Sequence, residues 1–242
     1  MVNVVDIPFF YEGKKEKCAL AIAFAEEAKN FYELLSIDEL DKLSSIKLEK
    51  IRKQYCLGRI LTKKALSSFV GDFAFNNVSV LNEESGCPII KCSDYATSIT
   101  HTNETVASLV FKRKFSFGID IESLREKARN ALRSIIVDEE SIPDDLENIT
   151  IAWTLKESLS KALKTGFRLP FSELELSFFS QKENVFTCSY KKHPEFSGIA
   201  IFHNNKSFAL TYPSEAVCVE DSLRAYEVNL LFSKTPGMAP AS

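Results

Sequence analysis

Glycine is scarce in this chain, with only eight in 242 residues. Nowhere do they form the Gly-x-x-x-x-Gly-Lys or Gly-x-Gly-x-x-Gly loops that cradle a nucleoside triphosphate, which makes such nucleotides poor candidates for a ligand. Histidine is scarcer still, at three, and the six cysteines (Cys18, Cys56, Cys87, Cys92, Cys188, Cys218) include no Cys-x-x-Cys pair. That argues against a structural zinc site and reads as reduced thiols in a cytoplasmic protein. No excess of positive charge exists, since the net charge is −3, so the chain as a whole has no electrostatic case for nucleic acid. No apolar run is long enough to span a bilayer. The stretch Cys18–Phe24 follows the basic Lys14-Lys15-Glu16-Lys17 and is reminiscent of a signal peptide. It is short, however, and runs directly into Glu26-Glu27 without a cleavage site, so we read it as a buried strand.

What remains is an ordinary globular composition, 45% hydrophobic and 26% charged. The length suits one large domain or two small ones. Apolar spacing predicts helix over about 34–70 and again over 149–164, the second stopped by Gly166 with Pro170 beyond. Alternation predicts strands near 78–81, 115–121, 174–179, 185–190, 198–203 and 207–212, and a hairpin over 96–111 turning at Thr102-Asn103-Glu104. One or two short helices are expected between Ser123 and Glu147. Each half thus combines a long helix with mostly antiparallel strands. The expected fold class is α+β, with an N-terminal lobe over 1–111, a C-terminal lobe over 112–232 and a disordered tail over 233–242.

The chemistry concentrates in two segments. In Gly118-Ile119-Asp120-Ile121-Glu122 the side chains alternate, so Asp120 and Glu122 share one face while Ile119 and Ile121 turn to the core. Two adjacent carboxylates repel unless a cation sits between them, and Mg²⁺ is the usual solution. These five residues by themselves fit an amphipathic edge strand with solvated acids better than a metal site. In the second helix Trp153, Glu157 and Lys161 recur at i, i+4 and i+8, on a different face from Leu155, Leu159, Ala162 and Leu163. Such a face would line a site, with Glu157 a third carboxylate and Lys156 and Lys161 neutralising phosphate oxygens; a surface Glu–Lys pair is the plainer alternative.

Together the two segments resemble the signature of the Sfp-type 4′-phosphopantetheinyl transferases, the branch serving siderophore and secondary-metabolite synthetases. Its Gly-[Ile/Val]-Asp-[Ile/Val]-Glu strand is matched by 118–122, and its [Trp/Phe]-[Ser/Thr/Cys]-x-Lys-Glu-[Ala/Ser]-x-x-Lys helix by Trp153-Thr154-Leu155-Lys156-Glu157-Ser158-Leu159-Ser160-Lys161. Ser98-Ile99-Thr100-His101-Thr102 is similar to the family's Ile-Ser-His-Ser hairpin, and Leu57–Leu66 to its Gly-Arg helix. One departure stands out, because the family's Gly-Lys-Pro turn reads Gly86-Cys87-Pro88 here and so lacks a phosphate contact, which Lys91 could restore.

The resemblance implies a pseudo-dimer of two similar α+β lobes with coenzyme A in the cleft between them. It implies Mg²⁺ held by Asp120, Glu122 and Glu157, and transfer of the phosphopantetheine arm to a serine of an apo acyl or peptidyl carrier protein, with release of 3′,5′-ADP. Glu157 would be the base and Lys161 would pair with the pyrophosphate. Arg59, Thr100, His101 and Lys156 would hold the cofactor's phosphates, with Lys47, Lys50, Arg52, Lys53, Lys63 and Lys64 adding positive charge around Arg59. A cytoplasmic monomer, bound to neither membrane nor nucleic acid, is expected. Two competing readings are an inactive relative that binds carrier or nucleotide without transfer, and a different Mg²⁺-dependent phosphotransferase.

Overall fold

The computed structural model describes residues 3–28, 31–134, 136, 142–165 and 168–225. The tail over 233–242 and the helix stop at Gly166 lie outside them. The chain opens with a hairpin that the patterning did not announce in full, β1 (Asn3–Tyr11) and β2 (Lys14–Phe24). The helix expected over 34–70 is two helices, α1 (Ile37–Ser44) and α2 (Glu49–Val70). Ser36 starts α1 with a capping box, its hydroxyl accepting from the Glu39 N–H while the Glu39 carboxylate accepts from the Ser36 N–H. Leu48, with extended backbone, separates α2 from it.

Short β3 (Val80–Asn82) and β4 (Pro88–Ile90) follow, then the expected hairpin as β5 (Tyr95–His101) and β6 (Thr105–Lys112). The acidic strand is β7 (Gly118–Ser123). After α3 (Arg129–Arg133) comes the long α4 (Leu146–Ala162), capped by the Asp145 side chain. Strands β8 (Leu176–Lys182), β9 (Val185–Tyr190), β10 (Phe196–His203) and β11 (Lys206–Pro213) complete the sheets before α5 (Val219–Ala225).

The fold is α+β, with two lobes each built from an antiparallel sheet and a long helix. One sheet has the order β1-β2-β6-β5, the other β7-β11-β10-β9-β8, and β3-β4 is a separate hairpin. Alternation along the strands decides the layering. In β2, Cys18, Leu20 and Ile22 point to a core shared by both sheets, while Ala19, Ala21 and Ala23 point to α2. In β10 and β11, Ile199, Ile201, Phe208 and Leu210 join the shared core, while Ala200 and Ala209 face the α4 side. Small residues under the helices let helix and sheet approach closely, and bulky ones fill the space between sheets. The layers therefore run helix, sheet, sheet, helix. This explains why β2 reads as an unbroken apolar run, being covered on both faces. Phe9, Phe111, Phe115 and Phe117 form the aromatic centre of the shared core, with Phe9 and Phe115 ring centroids 5.3 Å apart.

Candidate active site

Strand β7 and helix α4 meet without side chains between them. A Cβ placed on Gly118 would lie 2.0 Å from the Ser158 carbonyl oxygen and 2.5 Å from the Ala162 nitrogen. Both are backbone atoms that cannot swing aside, so only glycine fits and the helix backbone rests directly on the strand. That contact fixes where Asp120 and Glu122, one and two pleats along, stand relative to Glu157 and Lys161.

Along the opposite edge of β7 runs β5, and hydroxyl groups rather than backbone carbonyls join the two. Ser98 Oγ accepts the Ile119 N–H at 3.1 Å, and Thr100 Oγ1 accepts the Ile121 N–H at 3.1 Å. The Thr100 hydroxyl then donates to Asp120 Oδ1 at 2.9 Å. The seam between the sheets is thus built from alternate side chains of β5, and it ends on the first acid of β7.

Asp120 is 5% exposed. Its Oδ1 also accepts from Lys161 Nζ at 2.7 Å, while Oδ2 is buried with no hydrogen-bond partner. Glu157, one turn before Lys161, is 8% exposed; burial, then repulsion by Asp120, pushes its carboxyl up to about 7. Glu122 is raised as well, by burial and then by Asp120, and it accepts a hydrogen bond from Trp153. Trp153 packs on Phe171 with centroids 5.5 Å apart. The three acids and Lys161 therefore form one electrostatic unit. Among the described residues no three acidic, histidine or cysteine side chains converge closely enough to cage a metal by themselves.

Beside this unit opens a cleft of about 210 Å³, lined by Glu157, Ser160, Lys161 and Lys164 from the α4 side, residues 97–99 of β5, and the turn at 85–88. Desolvation and then the Lys161 charge lower the pKa of His101, which sits at the exposed end of β5 within electrostatic reach of Asp120.

Five residues expected to meet phosphates are engaged elsewhere or lie off the cleft wall. Lys156 is 0% exposed and is not part of the cleft wall, because one residue along a helix turns it by 100° from Glu157. Arg59 is 6% exposed, stacked over the Tyr55 ring at 3.9 Å, and donates to the Val80 carbonyl and the Asn82 side chain. Asn82 in turn donates to the Gly86 carbonyl at 2.7 Å, so Arg59 braces the turn at the cleft mouth rather than facing it. The Thr100 hydroxyl serves the seam. Lys63 is fully buried, donating to Glu39 at 2.5 Å and to the Leu34 carbonyl at 3.0 Å. Lys91, offered as a substitute for the lysine absent at Cys87, is paired with Asp38 at 3.4 Å and lies outside the cleft. Reading the sequence missed Ser98 as a seam residue and Lys164 as a wall residue; the i+3 spacing of Lys164 from Lys161 was the available signal.

A model of the 4′-phosphopantetheinyl transferase superfamily matches residues 116–213, the stretch from β7 to β11. Holo-[acyl-carrier-protein] synthase of Staphylococcus epidermidis is 30% identical over 95 residues, covering 36% of this chain and 81% of that protein, in each of two strains. The chain belongs to the 4′-phosphopantetheinyl transferase superfamily. A solved holo-(acyl-carrier-protein) synthase from Bacillus anthracis, in complex with CoA (3′,5′-ADP), is similar at a TM-score of 0.37 and 20% identity, covering 43% of this chain and 96% of that one. The superfamily match leaves the N-terminal sheet, α1 and α2 outside it.

Proposed function

We propose that this chain transfers the 4′-phosphopantetheine arm of coenzyme A to a serine hydroxyl of an apo acyl or peptidyl carrier protein, releasing 3′,5′-ADP. The observation that carries the reading is the convergence of Asp120, Glu122, Glu157 and Lys161 beside one cleft, with the Glu157 carboxyl raised to about 7. Family membership and the holo-synthase relative support the reaction class. Assignment to the Sfp-type branch, with lobes divided at residue 112, is supported by the Gly58-Arg59 helix and by two sheets in a single chain.

The acids fit Mg²⁺. Asp120 Oδ2 is a buried oxygen with no partner, and the donors are hard carboxylates that repel one another. Mg²⁺ takes one or two carboxylates and fills its shell with water and phosphate oxygens, so a closed protein cage is not required. Asp120, Glu122 and Glu157 would hold it, and when bound it neutralises charge on the phosphates. The chain's own groups then do the rest. Glu157 would accept the serine proton, directly or through one water, as the serine oxygen attacks phosphorus. The bond from that phosphorus to the bridging oxygen breaks, and 3′,5′-ADP leaves with its charge countered by Lys161. Thr100 holds Asp120 in orientation throughout.

Incubating the protein with Mg²⁺, coenzyme A and an apo carrier protein should add one phosphopantetheine group to the carrier, read by intact-mass spectrometry. Asp120→Ala should abolish transfer while the circular dichroism spectrum stays unchanged. Coenzyme A binding without transfer to any of several unrelated carriers would instead favour an inactive relative.

A further inference from the structure

Helix α4 ends in a turn that most chains close with glycine. Thr165 N–H donates to the Ser160 carbonyl at 3.1 Å and Lys164 N–H to the Lys161 carbonyl at 3.1 Å, the paired bonds of a Schellman motif. Lys164 occupies its left-handed position, with φ at +57°. For a residue with a Cβ that conformation costs about 1 kcal/mol, which glycine avoids.

The side chain set by this turn forms part of the cleft wall, together with Ser160 and Lys161 and the turn carrying Cys87. The ammonium is near enough to oppose the upward shift that burial gives the Cys87 thiol. Among the described residues no carboxylate pairs with Lys164, whereas Lys161 has Asp120 and Lys91 has Asp38. A cation without an acid partner, held on a strained backbone in a wall of the cleft, is suited to an anionic ligand.

We propose that Lys164 binds a phosphate group of coenzyme A, one remote from the reacting phosphorus. The inference rests on the coenzyme A reading of the cleft. Lys164 lies about one helical turn beyond Lys161, so it stands farther from the acids and acts on binding rather than on the chemical step. It supplies the charge that the turn at Cys87 does not.

Calorimetric titration of coenzyme A into the wild-type chain, Lys164→Gln, Lys164→Gly and the double variant Cys87→Lys/Lys164→Gln tests this. Both single variants should bind about tenfold more weakly, the loss of one charge-assisted contact, with a shallower dependence on salt. Lys164→Gly should do so with an unchanged or higher Tm, which separates lost charge from lost fold. The double variant should recover most of the affinity, and in the transfer assay the loss should fall on KM more than on kcat. Wild-type affinity in both single variants overturns the assignment of Lys164 alone. No coenzyme A binding by the wild-type chain overturns the reading of the cleft, and this inference with it.

Discussion

Burial, then repulsion by Asp120, holds the Glu157 carboxyl up against the opposing charge of Lys161. That carboxyl stands near 7 folded against 4.5 as the ordinary value. Between those values the folded chain binds the additional proton, so this group's contribution to stability is present at low pH and is lost as pH rises toward 7. Glu157→Gln should therefore raise the Tm of the metal-free protein at pH 8, by no more than about 3 kcal/mol of stability, while abolishing transfer. A Tm unchanged between pH 5 and 8 in the wild type would contradict the raised value. Residue type was legible in the motif, and so were Asp120, Glu122, Glu157 and Lys161 as a set. What the motif did not reveal is which donors were already in use. Arg59 and Thr100 carry the right chemistry for phosphates, yet their hydrogen bonds go to Asn82 and Val80, and to Asp120. A pattern records that a side chain can donate; only packing tells where it does.

Between elements, two contacts decide whether the site assembles. The first is the backbone approach at Gly118. Gly118→Ala forces β7 and α4 apart, which should cost several kcal/mol in stability and reduce transfer by more than tenfold even where the protein still folds. Near-normal kcat in a folded Gly118→Ala protein would show that strand and helix can shift without consequence. The second is the buried Glu39–Lys63 pair. Glu39 accepts from Lys63, from the Ser36 N–H and from the Val80 N–H at 2.8 Å, so one carboxylate ties α1, α2 and β3 together. Glu39→Ala leaves Lys63 charged and enclosed, and should destabilise by about 3–5 kcal/mol, measured by urea unfolding. A loss below 1 kcal/mol would mean that Lys63 reaches water. From sequence, Lys63 belonged to a basic helix face and Glu39 was one acid among several in α1. Nothing in spacing reveals a pair 24 residues apart. The α1–α2 break was hidden for a related reason, since apolar residues continue across it and only Leu48's backbone shows the interruption. The strands from β5 onward were legible because turn residues bracket them.

At the scale of the molecule, the two sheets share one core. Ile7, Phe9 and Leu20 from one sheet pack with Ile119, Ile199 and Phe208 from the other. Neither sheet can keep that face dry alone, so heat should unfold the chain in a single transition whose calorimetric and van't Hoff enthalpies agree. Two resolved transitions would mean that the halves hold themselves up. Strand β1 is also joined to the segment that follows β11: Phe10 N–H donates to Val217 O and Val217 N–H to Phe10 O, each at 2.9 Å, and the Ser222 hydroxyl donates to the Pro8 carbonyl at 2.7 Å. During synthesis this has a cost in time. The first strands leave the ribosome with an apolar face whose cover, β10 and β11, is translated long after them. Nascent chains stalled before residue 196 should therefore be protease-sensitive and prone to capture by chaperones. Protection should arrive only when β10 and β11 emerge.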